Sequence, residues 1–265
     1  MSTVEICNGH LHYEAAGDGR PVVFLHAGGL TSAQWDAELA RFSAHHKVIR
    51  YDARGHGDSS DAVPTQPYTH AYDLRELLDA LDIERAMLVG CSMGSRTAID
   101  FALTCPERVE ALVLTSPGIS GMNQRDPFVL TLNERIAEAI GGGDHELALE
   151  LVIQMLVDGP KREPEDVDPA VRAHCRVMFL ATGTKHPGNN PVSYELDAIP
   201  RVHEIAAPIL VITGELDYLD IHGVADHVAR HAMDARKVVV PGAGHMLNLD
   251  RPDRFAELLT EFLSR

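Results

Sequence analysis

Short apolar runs alternate with amphipathic stretches along most of the chain. Residues 21–26, 48–51, 87–90, 111–115, 208–213 and 237–240 are near-continuous runs rich in Val, Ile and Leu, the pattern of strands buried on both faces. Residues 4–7 and 11–15 flank Asn8-Gly9, which supplies the positive-φ turn of an antiparallel hairpin. Between the runs, residues 32–42, 69–81, 95–104 and 252–263 carry helical spacing. Strands alternating with helices predict an α/β fold: a mostly parallel central sheet flanked by helices.

The alternation breaks at residues 119–200. Three helices are predicted there, at 127–140, 145–157 and 169–181. Gly141-Gly142-Gly143 stops the first, and the polar segment 158–168 separates the other two. The expected organisation is a core of residues 1–118 and 201–265, with 119–200 as a helical cap insertion over the sheet. A helical decoration elsewhere on the surface is the alternative. Phe128, Met155, Met178 and Phe179 are apolar residues of this insertion. They line a pocket or pack the helices together.

The chemistry concentrates where strands end. Gly90-Cys91-Ser92-Met93-Gly94 follows a predicted strand and opens a predicted helix, the setting of a strained turn that presents a serine nucleophile. A serine hydroxyl needs a base, and the base needs an orienting acid. Two later strands end in Gly214-Glu215-Leu216-Asp217 and Pro241-Gly242-Ala243-Gly244-His245. All three candidates thus fall at the carboxyl edge of the sheet, where such folds hold their sites. Ser92 is the expected nucleophile, His245 the base and Asp217 the acid, with Glu215 and Asp220 as rival carboxylates. Among 15 histidines, His245 is singled out by its glycine-rich loop.

With these residues in view, the chain resembles the α/β-hydrolase fold superfamily over nearly its whole length. The match includes His26-Ala27-Gly28-Gly29 with Trp35 beyond it, and the run from Tyr51-Asp52-Ala53-Arg54 through Gly55-His56-Gly57-Asp58-Ser59. The resemblance implies an oxyanion hole formed by the backbone N–H groups of Met93 and Gly28, with Gly29 as the alternative to Gly28. Ala27 stands where such proteins usually carry glycine. The Asp52–Ser59 run resembles a turn that braces the site loops.

The implied activity is hydrolysis of a small or medium carboxylic ester, lactone or thioester through an acyl-enzyme, without a cofactor. Ser92 excludes the aspartate-nucleophile epoxide and halide enzymes. Carbon–carbon hydrolases of the meta-cleavage type usually carry Asn before the serine and Ser-Gly-Pro-Gly in the oxyanion loop. Cys91 and Gly28-Gly29-Leu30-Thr31 occupy those places, so an esterase or lactonase is the better fit. A cofactor-free perhydrolase and a slow-turnover ligand receptor are further alternatives on the same residues.

Composition narrows the partners. The chain has 265 residues, 45% of them hydrophobic, and 39 acidic against 23 basic residues give a net charge of −16. A core of good size is affordable at this length, and the acidic balance disfavours nucleic acid and anionic membranes. A small-molecule substrate is the expected partner; oligomeric state is not legible. Cys7, Cys91, Cys105 and Cys175 form no Cys-x-x-Cys pair, and no His-Glu-x-x-His, dinucleotide-binding or phosphate-loop motif occurs, so no metal site is expected. No signal peptide or membrane span is visible, and free thiols suit a cytoplasmic location.

Overall fold

A computed structural model describes residues 2–63, 65–187 and 196–264. Eight strands form one sheet: β1 (Ser2–Ile6), β2 (Gly9–Ala16), β3 (Pro21–Leu25), β4 (Lys47–Tyr51), β5 (Ala86–Cys91), β6 (Val109–Thr115), β7 (Ile209–Gly214) and β8 (Ala235–Val240). Their spatial order is β1-β2-β4-β3-β5-β6-β7-β8. The β1–β2 hairpin turns at Asn8, φ 62°, and joins antiparallel to β4, whereas β4, β3 and β5 through β8 are mutually parallel. This is the expected α/β architecture.

Alternation along each strand builds two cores. Val22, Phe24, Met87, Val89 and Cys91 face one side, where Trp35, Phe42, Phe255 and Phe262 pack. Val23, Leu25, Ala86 and Leu88 face the other, against Leu74, Leu77, Ile99, Phe101 and Val228. The first layer is formed by α1 (Asp36–Phe42) and α9 (Pro252–Leu263). The second is formed by α2 (His70–Ala80), α3 (Met93–Thr104) and α7 (Leu219–His231). One strand expectation fails. The Val238-Val239-Val240 run reads as buried on both faces, yet β8 is the edge strand, pairs with β7 alone, and leaves Val239 45% exposed.

Between β6 and β7 the described residues contain no strand. They form α4 (Pro127–Gly141), α5 (His145–Ile153) and α6 (Pro169–Lys185); residues 188–195 of the expected insertion lie outside the described residues. Asp126 and Asp168, each followed by proline, cap α4 and α6 by accepting the N–H of Phe128 and Ala170. The second helix is shorter than its apolar pattern suggests, because the chain widens into a π-turn over Gln154–Asp158. Three side chains of the segment between β6 and β7 reach the loops that follow β3, β4 and β8. Thr182 Oγ1 donates to Leu30 O at 3.3 Å, Lys185 pairs with Asp58, and Arg162 reaches Asp250. Asp250 ends the short helix α8 (Leu247–Asp250).

Candidate active site

Ser92 is the single residue between β5 and α3. Its φ of 51° and ψ of −108° lie outside the regions open to ordinary residues. Neighbours hold this strained turn. Ser92 N–H donates to Thr115 O at 3.0 Å, and Ser92 O accepts from Arg96 and Gly118 N–H at 3.1 and 3.2 Å. Ser95 Oγ ties back to Gly90 O at 2.8 Å. Gly94 is required by proximity, since a Cβ there would collide with the Leu25 carbonyl oxygen. The turn sets Ser92 at the N-terminus of a 12-residue helix, beside unpaired N–H groups and a positive partial charge.

Asp217 and His245 follow the ends of β7 and β8, and both are 1% exposed. His245 Nδ1 lies 3.0 and 3.2 Å from the two Asp217 carboxylate oxygens. A carboxylate only accepts, so Nδ1 carries the hydrogen and Nε2 is left as the acceptor. Nε2 is buried and has no hydrogen-bond partner among the described residues, Ser92 Oγ included. The rival carboxylates are engaged elsewhere. Glu215 accepts from Gly242 N–H, and Asp220 from the N–H groups of Arg125 and Asp126.

Two further contacts that the sequence analysis does not name hold His245. The Tyr218 ring stacks on His245 at 4.7 Å and 27°, while its N–H donates to Asp217 Oδ1. Ser116 Oγ donates to His245 O at 2.8 Å, directly after the Thr115 carbonyl that holds Ser92. Adjacency to Asp217 was the one available signal for Tyr218. Ser116 depended on strand register.

The loop after β3 completes the site. Ala27 N–H is taken by Gln34 Oε1 at 2.8 Å. A Cβ on Gly28 would lie 3.7 and 3.8 Å from Met93 Cβ and Sδ, whereas one on Gly29, at φ 78°, would strike Phe179 at 2.8 Å. Gly28 thus borders Met93, and Gly29 borders the helical insertion. His26 locks the loop: Nδ1–H donates to Ala27 O at 2.8 Å and Nε2 accepts from Ala53 N–H at 2.9 Å. Burial lowers the pKa of His26, although nearby Asp52 opposes this, and the two bonds suit the neutral ring. Asp52 braces the same region by accepting from the N–H groups of Ser32 and Asp58.

Of the four apolar insertion residues, Met155 and Phe179 line a cavity that reaches Gly28. Met178 is buried in the core, and Phe128 packs near Val129 and Tyr218. No described helix is long and apolar enough to cross a membrane.

Comparison with known proteins agrees with this architecture. The chain is 32% identical over 267 residues to a 2-hydroxy-6-oxononadienedioate/2-hydroxy-6-oxononatrienedioate hydrolase of Paraburkholderia xenovorans (strain LB400), covering 96% of this chain and 90% of the relative. It is 30% identical over 267 residues to a 2-hydroxy-6-oxo-6-phenylhexa-2,4-dienoate hydrolase of Comamonas testosteroni, covering 96% and 91%. Among solved structures, an enol-lactonase from Burkholderia xenovorans LB400 superposes with a TM-score of 0.79 at 26% identity, over 100% of both chains. A family profile described as the alpha/beta hydrolase family matches residues 22–258, and the chain belongs to that family.

Proposed function

We propose that this protein is a serine hydrolase that cleaves a carboxylic ester or lactone, or a thioester, through an acyl-enzyme on Ser92. The observation that carries this reading is the buried His245 imidazole, held at Nδ1 by Asp217 and unpartnered at Nε2. A buried acceptor without a partner is costly, and a serine hydroxyl donating to it removes that cost. In this reading the Ser92 oxygen attacks the substrate carbonyl carbon while its proton passes to Nε2. The N–H groups of Met93 and Gly28 receive the oxyanion, in a pair that Gly28's position beside Met93 supports. The carbon–oxygen bond breaks, and the leaving alcohol takes the proton from Nε2. Water then gives a proton to Nε2 and attacks the acyl carbon, the bond to Ser92 Oγ breaks to release the carboxylic acid, and Nε2 returns the proton to Ser92 Oγ. Asp217 keeps the imidazole in the required tautomer and stabilises its charged form.

Residues 119–200 act in this reading as a cap over the nucleophile, and their bonds to the loops after β3, β4 and β8 support that role. The four free thiols suit a reducing cytoplasm.

Carbon–carbon bond hydrolysis is the second reading, favoured by the activities for which the two sequence relatives are named. Cys91 and Gly28-Gly29-Leu30 weigh against it. A fluorophosphonate should label the wild type at Ser92 and leave Ser92→Ala unlabelled; undiminished labelling of the variant would sink the nucleophile. Turnover of p-nitrophenyl esters and lactones beside a meta-cleavage dienoate then decides between the two bonds.

A further inference from the structure

The insertion leaves a cavity of about 790 Å³ against the loop after β3, within the size range of small-molecule pockets. Gly28 and Gly29 line it together with Ile136, Val152, Met155 and Phe179 of the helices. Along α5 and the following π-turn its lining runs from His145 to Leu156, a distance of about 16 Å at 1.5 Å per residue. No Lys, Arg, Asp or Glu lines it among the described residues; its ionisable groups are His145 and His186. His186 already faces Asp61 and Gly57 O.

From this shape and chemistry we infer that the cavity is the acyl-chain site, and that the substrate carries an unbranched aliphatic acyl chain of medium length without a terminal charge. The inference rests on the serine hydrolase reading and adds the identity of the acyl group.

Three observations support it. First, Gly28, where that reading puts the carbonyl oxygen, lines the cavity while Ser92 and Met93 do not, so the chain attached to the carbonyl carbon reaches it past Gly28. Second, the lining includes nothing from the loops after β7 and β8, which hold Asp217 and His245. A leaving alcohol has to sit near His245 Nε2 to receive its proton, so the cavity serves the acyl side of the bond. Third, a terminal carboxylate would enter an apolar channel with no cation to meet it, in a protein of net charge −16. Arg96, the cation nearest Ser92 in the chain, is not among the residues that line the cavity. Diacid-derived acyl groups are therefore disfavoured.

The test is a series of p-nitrophenyl acyl esters from acetate to octanoate, with the mono-p-nitrophenyl ester of suberic acid as the charged counterpart of octanoate. kcat/KM should rise about fourfold per methylene, the factor that corresponds to burying each one. The suberate ester should fall at least about tenfold below octanoate. Lengthening the alcohol in alkyl acetates should give no comparable gain.

Val152→Phe, which adds bulk at a lining position, should lower the octanoate-to-acetate ratio of kcat/KM by about tenfold or more. Loss of fold lowers both rates and leaves that ratio alone. Leu180→Asp, at an exposed lining position, should move the ratio in the same direction. Ser92-dependent turnover that is flat or falls with acyl length, or that favours the suberate ester, overturns the inference while leaving the serine hydrolase reading intact.

Absence of ester turnover defeats the hydrolase reading instead. Calorimetry then reads the cavity without catalysis: octanamide should bind the wild type about 250-fold more tightly than butanamide, about fourfold for each of the four methylenes. Equal or undetectable binding of the two at millimolar concentration overturns the assignment.

Discussion

The Arg162 guanidinium lies 3.0 Å from the Asp250 carboxylate, and the two side chains are only 7% and 4% exposed. This buried pair joins the segment between α5 and α6 to the last residue of α8, five residues beyond His245. Asp250 Oδ2 also accepts the Gly244 N–H at 2.7 Å, so one oxygen steadies both the insertion and the residue before the imidazole. Removing one partner strands the other charge in a dry site, at a cost of about 3–5 kcal/mol. Asp250→Ala should show that loss in urea denaturation. Arg162→Met should cost less if it is paired with Asp250→Leu than if it is made alone. Additive losses from the two single changes would show that the pair is not coupled.

Gly94 provides a second test, of the turn rather than the insertion. A Cβ there meets the Leu25 carbonyl oxygen, which is backbone of a strand paired on both sides and has little room to retreat. Gly94→Ala should destabilise by about 1–3 kcal/mol and displace Ser92 from its strained geometry. An unchanged denaturation midpoint would contradict the close approach.

The sequence carried the central strands well because burial on both faces leaves a one-letter signature: apolar run, then glycine-rich loop. It failed at β8, where Val238 to Val240 are as apolar as in a central strand but the topology gives them one neighbour. The triad candidates were legible through chain order and strand ends. Choosing among Glu215, Asp217 and Asp220 was a different matter, since all three are carboxylates in or just after one loop. Their separate partners, Gly242, His245 and the Arg125–Asp126 amides, exist only after the strands have registered. The cavity was illegible for a similar reason. Met178 and Phe179 are adjacent on one helix, yet only Phe179 lines it, and helical spacing gives no sign of where a neighbouring helix is absent.

Glu38 yields a pH prediction. Its carboxyl is 3% exposed, Oε2 has no hydrogen-bond partner among the described residues, and burial pushes its pKa from 4.5 up to about 7 despite help from Asn248. Between those values the unfolded chain releases this proton while the folded chain keeps it. Stability from this group therefore falls as pH rises from about 4.5 to about 7, by roughly 1.4 kcal/mol per unit, and levels off above. Glu38→Gln should lack that decline, so its advantage over the wild type should grow to a few kcal/mol by pH 8. Burial holds His56 down to about 3, which contributes with the opposite sign below pH 6.5. It is common to both proteins and cancels in the difference. A wild-type-minus-variant stability that is flat from pH 4 to 8 would show that Glu38 ionises normally.

The last prediction addresses the acid. If Asp217 orients His245, its replacement by Asn keeps the shape but offers an NH₂ or a carbonyl where a carboxylate stood. Nδ1 is then free to become the acceptor, which puts the hydrogen on Nε2, where it faces Ser92 and blocks proton abstraction. The fold should persist, because an Asn carbonyl can still accept the Tyr218 N–H that now reaches Asp217 Oδ1. Turnover of a p-nitrophenyl ester should drop by on the order of 10⁴, the loss that the wrong tautomer causes in serine proteases. Fluorophosphonate labelling of Ser92 should slow as well, since it draws on the same base. Glu215→Gln and Asp220→Asn, whose carboxylates serve backbone amides, should leave turnover within about tenfold, because the amide replacements keep an acceptor oxygen and each such hydrogen bond is worth only about 1 kcal/mol. An Asp217→Asn enzyme within tenfold of the wild type, with either of the other variants inactive, would move the acid to that neighbour and leave Ser92 and His245 in their roles.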